Sequence, residues 1–485
     1  MFLGDKINGE LVIGIISPIG TDTKATIKHI KEHLAKFAYR TEVINIAQDV
    51  LVKLAPQQVK WQDEYERIKA QIALGNSVRA GKKDNSILMK GVLSKILAGR
   101  NEQAPQPKAR TAYIIKSLKH PEEIAFLRAV YGVGFYLLGV TSTLENRLQY
   151  LEQQKKMSKA SAQELLAQDA NEDIGHGQHT QAAFQNADCF IVADDSEMEL
   201  KNSIYRFLDL LFGAPFLTPT FDEYAMFMAY AASLRSADLS RQIGAVITKE
   251  EEIVASGVND CPKFGGGLYW PLWSEEQRAY CDEEEGRDYK LGYDSNKIEQ
   301  QKIIDAILRE LGLEKNAELV TKIKNAGVGS LTEYGRVVHG EMEALLMCAR
   351  NNISCKGAAL YVTTFPCHNC AKHLIAAGIA SVTYIEPYPK SKALELYPHE
   401  ITEKAAESTT KVLFKPFVGI GPHRYIDLFS VSSSMWGVRM RKDEEGRAIK
   451  WQREYANLRT PMPTLSYIEA EKQAHKIFVE KVVNK

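Results

Sequence analysis

The sequence predicts an α/β protein of at least two domains, and three observations carry that reading. Apolar strand-like runs alternate with helical patterns over the first ~215 residues, the signature of a parallel sheet. A cluster of Gly213, Pro215 and Pro219 then punctuates the chain. Beyond it the order changes to a hairpin, a long polar stretch and a second helix–strand alternation. At 485 residues the chain exceeds the size of one typical core.

The first element reads LVIGII from Leu11 to Ile16, and a loop with Pro18 and Gly20 follows. Ile27, Ile30 and Leu34 then share one helical face. RTEVINIA, ARTAYIIKSL and NADCFIVAD supply three more strand candidates. We place the first domain at residues 1–215 and the second at 216–485. In the second, RQIGAVITKEEEIVASGVN is an antiparallel hairpin turning at 249–252. From Cys261 to about residue 330 the chain is polar, with a helical piece near 302–313, and reads as an insertion or lid. A helix follows over 339–350, then the strand GAALYVTT, a helix from Cys367 stopped by Gly378, and the strand ASVTYIE. The last ~65 residues carry no decisive pattern.

Composition narrows the function classes. Lys plus Arg equals Asp plus Glu at 61 each, so no global field draws the chain to nucleic acid or an anionic membrane. No secretory leader pattern opens it, and no window reaches ~18 uninterrupted apolar residues, so a cytoplasmic location without membrane contact is expected. Seven cysteines, few and odd in number, argue against a disulfide framework and for buried or metal-bound thiols.

Chemistry concentrates in two short stretches. In TTFPCHNC, Cys367 and Cys370 stand three apart at the first turn of a helix, so both sulfurs leave one face. In VVHGEMEALL, His339 opens another apolar helix and Glu341 follows two residues later. Two sulfurs and an imidazole are the three protein ligands of a catalytic zinc that keeps a fourth position for water. Glu341 then takes the water's proton and returns it to the substrate. A lone CxxC also suits structural zinc, a redox pair or two buried thiols, and a lone HxE carries little information. Together they match the pattern H-x-E…P-C-x-x-C.

At these residues the chain resembles the zinc-dependent cytidine and deoxycytidylate deaminases. LRSADLSRQIGAVI, ASGVND and TTFPCHNCAKHLIAAGIASVTYIEPY extend the resemblance to the deoxycytidylate branch over roughly residues 220–400. It implies an α/β/α deaminase fold and hydrolysis of deoxycytidine nucleotides at C4 with loss of ammonia. It implies Asn259 as a sugar contact, Tyr388 as a wall of the nucleotide pocket, and Arg235, Ser236 and Arg241 in the segment approaching phosphate. Two departures stand out: Gly340, where the family commonly has alanine, and the insertion at about 261–330.

GIISPIGTDTKAT departs from a Walker loop, because Gly14 and Gly20 are six apart and the lysine waits until Lys24. Gly20, Thr21 and Lys24 are its nucleotide-binding candidates, with a plain structural turn as the alternative. A P-loop nucleoside-kinase-like front joined to a deaminase back resembles the two-domain bacterial deaminases that deplete deoxycytidine nucleotides, dCTP as well as dCMP, in antiviral defence. That resemblance implies a homo-oligomer and leaves open an inhibitory RNA or protein partner. Two other readings stay open: a polynucleotide deaminase acting on RNA or single-stranded DNA, and a nucleotide sensor with a structural zinc site. Cys261 and Cys281 leave a second metal in the insertion undecided.

Overall fold

A computed structural model describes residues 9–54, 61–101, 105–171, 179–194, 196–388, 391–433, 437–460, 462 and 464–483. The fold is mixed α/β, and the chain divides into two compact units, residues 1–223 with 418–485, and residues 224–417.

In the first unit, β1 (Leu11–Ile16), β2 (Arg40–Asn45), β3 (Thr111–Leu118), β4 (Phe135–Thr141) and β5 (Cys189–Val192) form a parallel sheet in the order β5-β4-β1-β3-β2. β1 lies centrally and is buried along all six residues, which is why it reads as a continuous apolar run without alternation. β4, FYLLGVT, was not among the expected strands, although six of its seven residues are buried. Its apolar run is as regular as that of β1, but it follows directly on the helical pattern of Pro121–Tyr131, and periodicity alone does not separate a buried strand from the end of a buried helix.

The second unit carries one six-stranded sheet and a small hairpin. β6 (Gly244–Lys249) and β7 (Glu252–Val258) form the expected antiparallel pair. The insertion contributes the hairpin of β8 (Leu272–Ser274) and β9 (Ala279–Cys281) and the helix Ser295–Glu310, which begins earlier than the sequence suggested because Asp294 caps its N-terminus. β10 (Ala359–Thr364), β11 (Ser381–Glu386), β12 (Ile401–Thr402) and β13 (Val412–Pro416) complete the order β12-β13-β11-β10-β6-β7. β10 runs antiparallel to β6 and parallel to β11. The core of this sheet joins Ile247, Leu360, Val362 and Val382 to Ala344, Cys348, Ala371 and Leu374 from the helices above it.

The domain division at 215/216 needs revision, because residues 418–485 group with the first unit. β14 (Gly419–Ile420) pairs antiparallel with β5. The helix Thr464–Phe478 brings Glu471 to Arg100 (2.8 Å), whose guanidinium also holds Glu10 (2.7 Å). Tyr131 and Tyr467 donate to the same two carboxylates, at 2.8 Å each. A buried arginine is tolerable only when its charge is paired and its donors are used, so these long-range partners tie the chain's end to its beginning.

Candidate active site

Two helix starts bring the chemistry together. His339 is the N-cap of the helix Gly340–Arg350, and its side chain makes no capping bond, which leaves the imidazole free to face the other helix. Cys367 caps the helix His368–Ala377, its sulfur accepting from the Cys370 amide at 3.4 Å. The His339 Nδ1 atom lies 3.4 Å from Cys367 Sγ and 3.3 Å from Cys370 Sγ. With Zn–S of ~2.3 Å and Zn–N of ~2.0 Å, a tetrahedral centre separates nitrogen from sulfur by about 3.5 Å. The three ligand atoms all lie within 4.8 Å of one another, so the donor set fits such an ion. It is the one group of this kind among the described residues.

Close backbone approach sets this geometry. A Cβ on Gly257 would meet the Gly340 carbonyl oxygen at 2.0 Å and the Ala344 nitrogen at 2.4 Å, so the His339 helix rests directly on β7. At Gly340 itself a Cβ would come within 2.9 Å of the Ile243 carbonyl. The glycine at a position where the family commonly has alanine thus has a local cause.

The electrostatics separate the groups. The Cys370 thiol and the His339 imidazole beside it lower the Cys367 thiol to about 4 against the effect of burial. Hydrogen bonding to Cys367 raises His339 to about 9 against the same effect. Cys370 is pushed well up by its bond to Cys367 and by burial. Glu341 is 4% exposed, and burial raises its carboxyl above the usual range.

A cavity of about 680 Å³ opens on this cluster and is lined by His339, Glu341 and Cys367 together with Asn259, Arg241 and Tyr388. The Asn259 Oδ1 accepts from the Ile243 amide and its Nδ2 donates to the Arg241 carbonyl, both at 2.7 Å, fixing the amide at the wall. Arg241 reaches Glu386 at 3.3 Å and lies 5.5 Å from the Tyr388 ring centroid. Thr364 holds Glu386 from behind at 3.0 Å.

Two of the expected phosphate contacts turn elsewhere and do not line the cavity. Arg235 donates to the Tyr269 carbonyl at 2.7 Å and stacks 3.7 Å from the Trp270 centroid. Ser236 is buried and donates to the Asn259 carbonyl at 2.7 Å, shaping the turn that presents Arg241. Sequence reasoning missed His368, which lines the cavity from the first turn of its helix, and Asn296, Lys297 and Gln300, which reach it from the insertion. The Asp294 cap was the one local signal for that helix start. Cys261 donates to Asp288 at 3.4 Å and Cys281 to Gln277 at 2.9 Å, so each sulfur has an ordinary polar partner.

In the first unit, the loop after β1 is held by the chain itself. The Ile19 amide donates to Asp169 at 2.7 Å, Arg147 Nε donates to the Ile19 carbonyl at 2.6 Å, and Lys119 donates to the Ser17 carbonyl at 2.8 Å. Gly20 takes a left-handed φ of +86° there, and the Thr21 hydroxyl oxygen is buried without a hydrogen-bond partner among the described residues. Lys24 is exposed as the first residue of the helix Lys24–Ala35.

Residues 219–386 match the family described as the cytidine and deoxycytidylate deaminase zinc-binding region. The His339, Cys367 and Cys370 cluster falls within that span, and together these observations assign zinc as the cofactor. Deoxycytidylate deaminase of enterobacteria phage T4 is 30% identical over 165 residues, which are 34% of this chain and 77% of the phage protein. The Homo sapiens deoxycytidylate deaminase is 26% identical over 166 residues, 34% of this chain and 63% of that protein. A solved dCMP deaminase from cyanophage S-TIM5, in complex with dCMP and dUMP, aligns at 19% identity over 41% of this chain and 98% of that one, with a TM-score of 0.23. The chain belongs to the deoxycytidylate deaminase family.

Proposed function

We propose that the protein is a zinc-dependent hydrolytic deaminase that converts dCMP and dCTP to the corresponding deoxyuridine nucleotides. The observation that carries this reading is one cavity holding a His/Cys/Cys donor set and a buried glutamate. His339, Cys367 and Cys370 would hold the ion. When bound, zinc supplies Lewis acidity and brings water's ionisation toward neutral pH.

The remaining work falls to the chain. Glu341 takes a proton from the attacking water as the C4–O bond forms. It passes that proton to N3 of the base, then takes the second proton from the new C4 hydroxyl and gives it to the departing amine as the C4–N bond breaks, so that ammonia leaves and the C4 carbonyl forms. Burial, which lifts its carboxyl above the ordinary range, suits a group that must hold a proton between these steps. Asn259 and Tyr388 bound the nucleoside, and Arg241 offers a guanidinium to the phosphate end.

We further propose that the first unit is a P-loop-kinase-like domain whose degenerate loop at Gly20, Thr21 and Lys24 recognises nucleotide without phosphoryl transfer. The sheet order with β1 at the centre supports this, since ligands of such sheets bind beyond the strands' C-terminal ends. The same reading takes the protein to be a cytoplasmic homo-oligomer that drains the deoxycytidine nucleotide pool in antiviral defence.

The test is ammonia release from dCMP, dCTP, CMP, CTP and a cytosine-containing single-stranded oligonucleotide by zinc-loaded protein. Deoxynucleotides are the expected substrates; turnover of the oligonucleotide alone would refute the reading. Glu341→Gln is expected to keep its zinc and to lose roughly 10²–10⁴-fold in kcat.

A further inference from the structure

The C-terminal segment holds an arginine cluster that the deaminase reading does not use. Arg439 is 8% exposed, yet neither its Nε nor its Nη1 has a hydrogen-bond partner among the described residues. Its Nη2 donates to the Leu428 carbonyl at 2.5 Å, and its backbone amide to the Val431 carbonyl at 2.7 Å, so the side chain is fixed in place. Two more guanidiniums lie close enough to act on its charge. Arg441 donates through Nε to the Pro215 carbonyl at 2.8 Å. Arg459 donates to the carbonyls of Asp427 and Ser430, and at 3.4 Å to the Ser430 hydroxyl.

Among the described residues, every hydrogen-bond partner of these three side chains is a carbonyl or a hydroxyl, which uses donors without supplying opposite charge. The Asp427 carboxylate, which Arg459 feels, pairs with Arg424 at 3.1 Å. Burial, with Arg459 and Arg441 as like-charged neighbours, brings Arg439 down to about 10, still charged at neutral pH. A buried guanidinium with idle donors and cationic neighbours is costly unless an anion completes it. Arginine's planar fork matches the oxygens of a phosphate group.

We propose that Arg439, Arg441 and Arg459 form a binding site for a phosphate group, either inorganic phosphate or the phosphate of a nucleotide. Arg439 gives Nε and Nη1 to two of its oxygens, and Arg441 and Arg459 supply the surrounding positive charge. This site lies in the first unit, in the segment 418–485, and does not depend on the deaminase reading.

The experiment measures binding of inorganic phosphate and of ATP to the full-length zinc-loaded protein by calorimetry and by thermal denaturation, with sodium chloride at matched ionic strength as control. Saturating phosphate is expected to raise Tm by roughly 2–4 °C. Arg439→Gln should weaken phosphate binding at least tenfold, and Arg441→Gln several-fold. Tighter ATP than phosphate binding, lost in the same variants, identifies the ligand as a nucleotide; equal binding identifies a site for a single phosphate. No binding to the wild-type protein, an equal rise with chloride, or undiminished binding in both variants overturns the proposal. Should Arg439→Gln fail to fold, the wild-type measurement and Arg441→Gln still decide the matter.

Discussion

At the scale of single residues, the two cysteines of one CxxC are not equivalent. Before metal binds, Cys367 carries the negative charge, at about 4, while Cys370 is held as a thiol by its bond to Cys367 and by burial. Only the thiolate is a nucleophile. Chelator-treated protein is therefore expected to react with iodoacetamide first at Cys367, and added zinc should protect both cysteines, as peptide mass spectrometry would register. Preferential labelling of Cys370 would contradict the charge assignment. The pair also marks how far spacing reaches. Cys367, Cys370, His339 and Glu341 were legible because helix periodicity and ligand chemistry act on nearest neighbours in sequence. Arg235 and Ser236 were misplaced because which way a side chain turns is settled by distant partners, the Tyr269 carbonyl and the Asn259 carbonyl, that no local pattern announces.

At the scale of elements, the site depends on one contact between a strand and a helix. Gly257 on β7 lets the Gly340–Arg350 helix approach until a methyl group would overlap its backbone at 2.0 Å. Gly257→Ala is expected to cost about 1–3 kcal/mol or more in chemical denaturation, because the obstacle is backbone and not a flexible side-chain end. It should also lower turnover and zinc content by displacing His339 and Glu341. A variant with wild-type stability would show that the helix can slide. Strands and helices of the second unit were largely readable, since hairpin and zinc helices announce themselves by period and turn chemistry. The insertion was readable only in part: the helical piece near 302–313 overlaps the helix Ser295–Glu310, but its start was not found, because the helix buries only Gln300, Ile304 and Leu308 and so leaves little hydrophobic periodicity in its first turn.

At the scale of the whole molecule, the first unit is closed by residues drawn from both ends of the chain. Arg100, Glu10 and Glu471 have fully or almost fully buried side chains. Glu471→Ala leaves the guanidinium with one carboxylate, and is expected to destabilise this unit by about 3 kcal/mol, near the lower end for a broken buried pair because Glu10 still holds two of its nitrogens. Urea titration followed by a probe in the first unit tests this. The C-terminal contribution to this unit escaped the sequence reading because a two-residue strand and a single helix carry too little pattern to reveal their destination. The arrangement also sets an order of events during synthesis. All residues of the zinc-bearing unit are synthesised before β14 and the final helix, so the interior of the chain can begin to mature while its first part still waits for an edge strand and a buried counter-charge. A message cut short after Phe417 would yield a polypeptide able to capture metal but lacking the pieces that seal its opening two hundred residues.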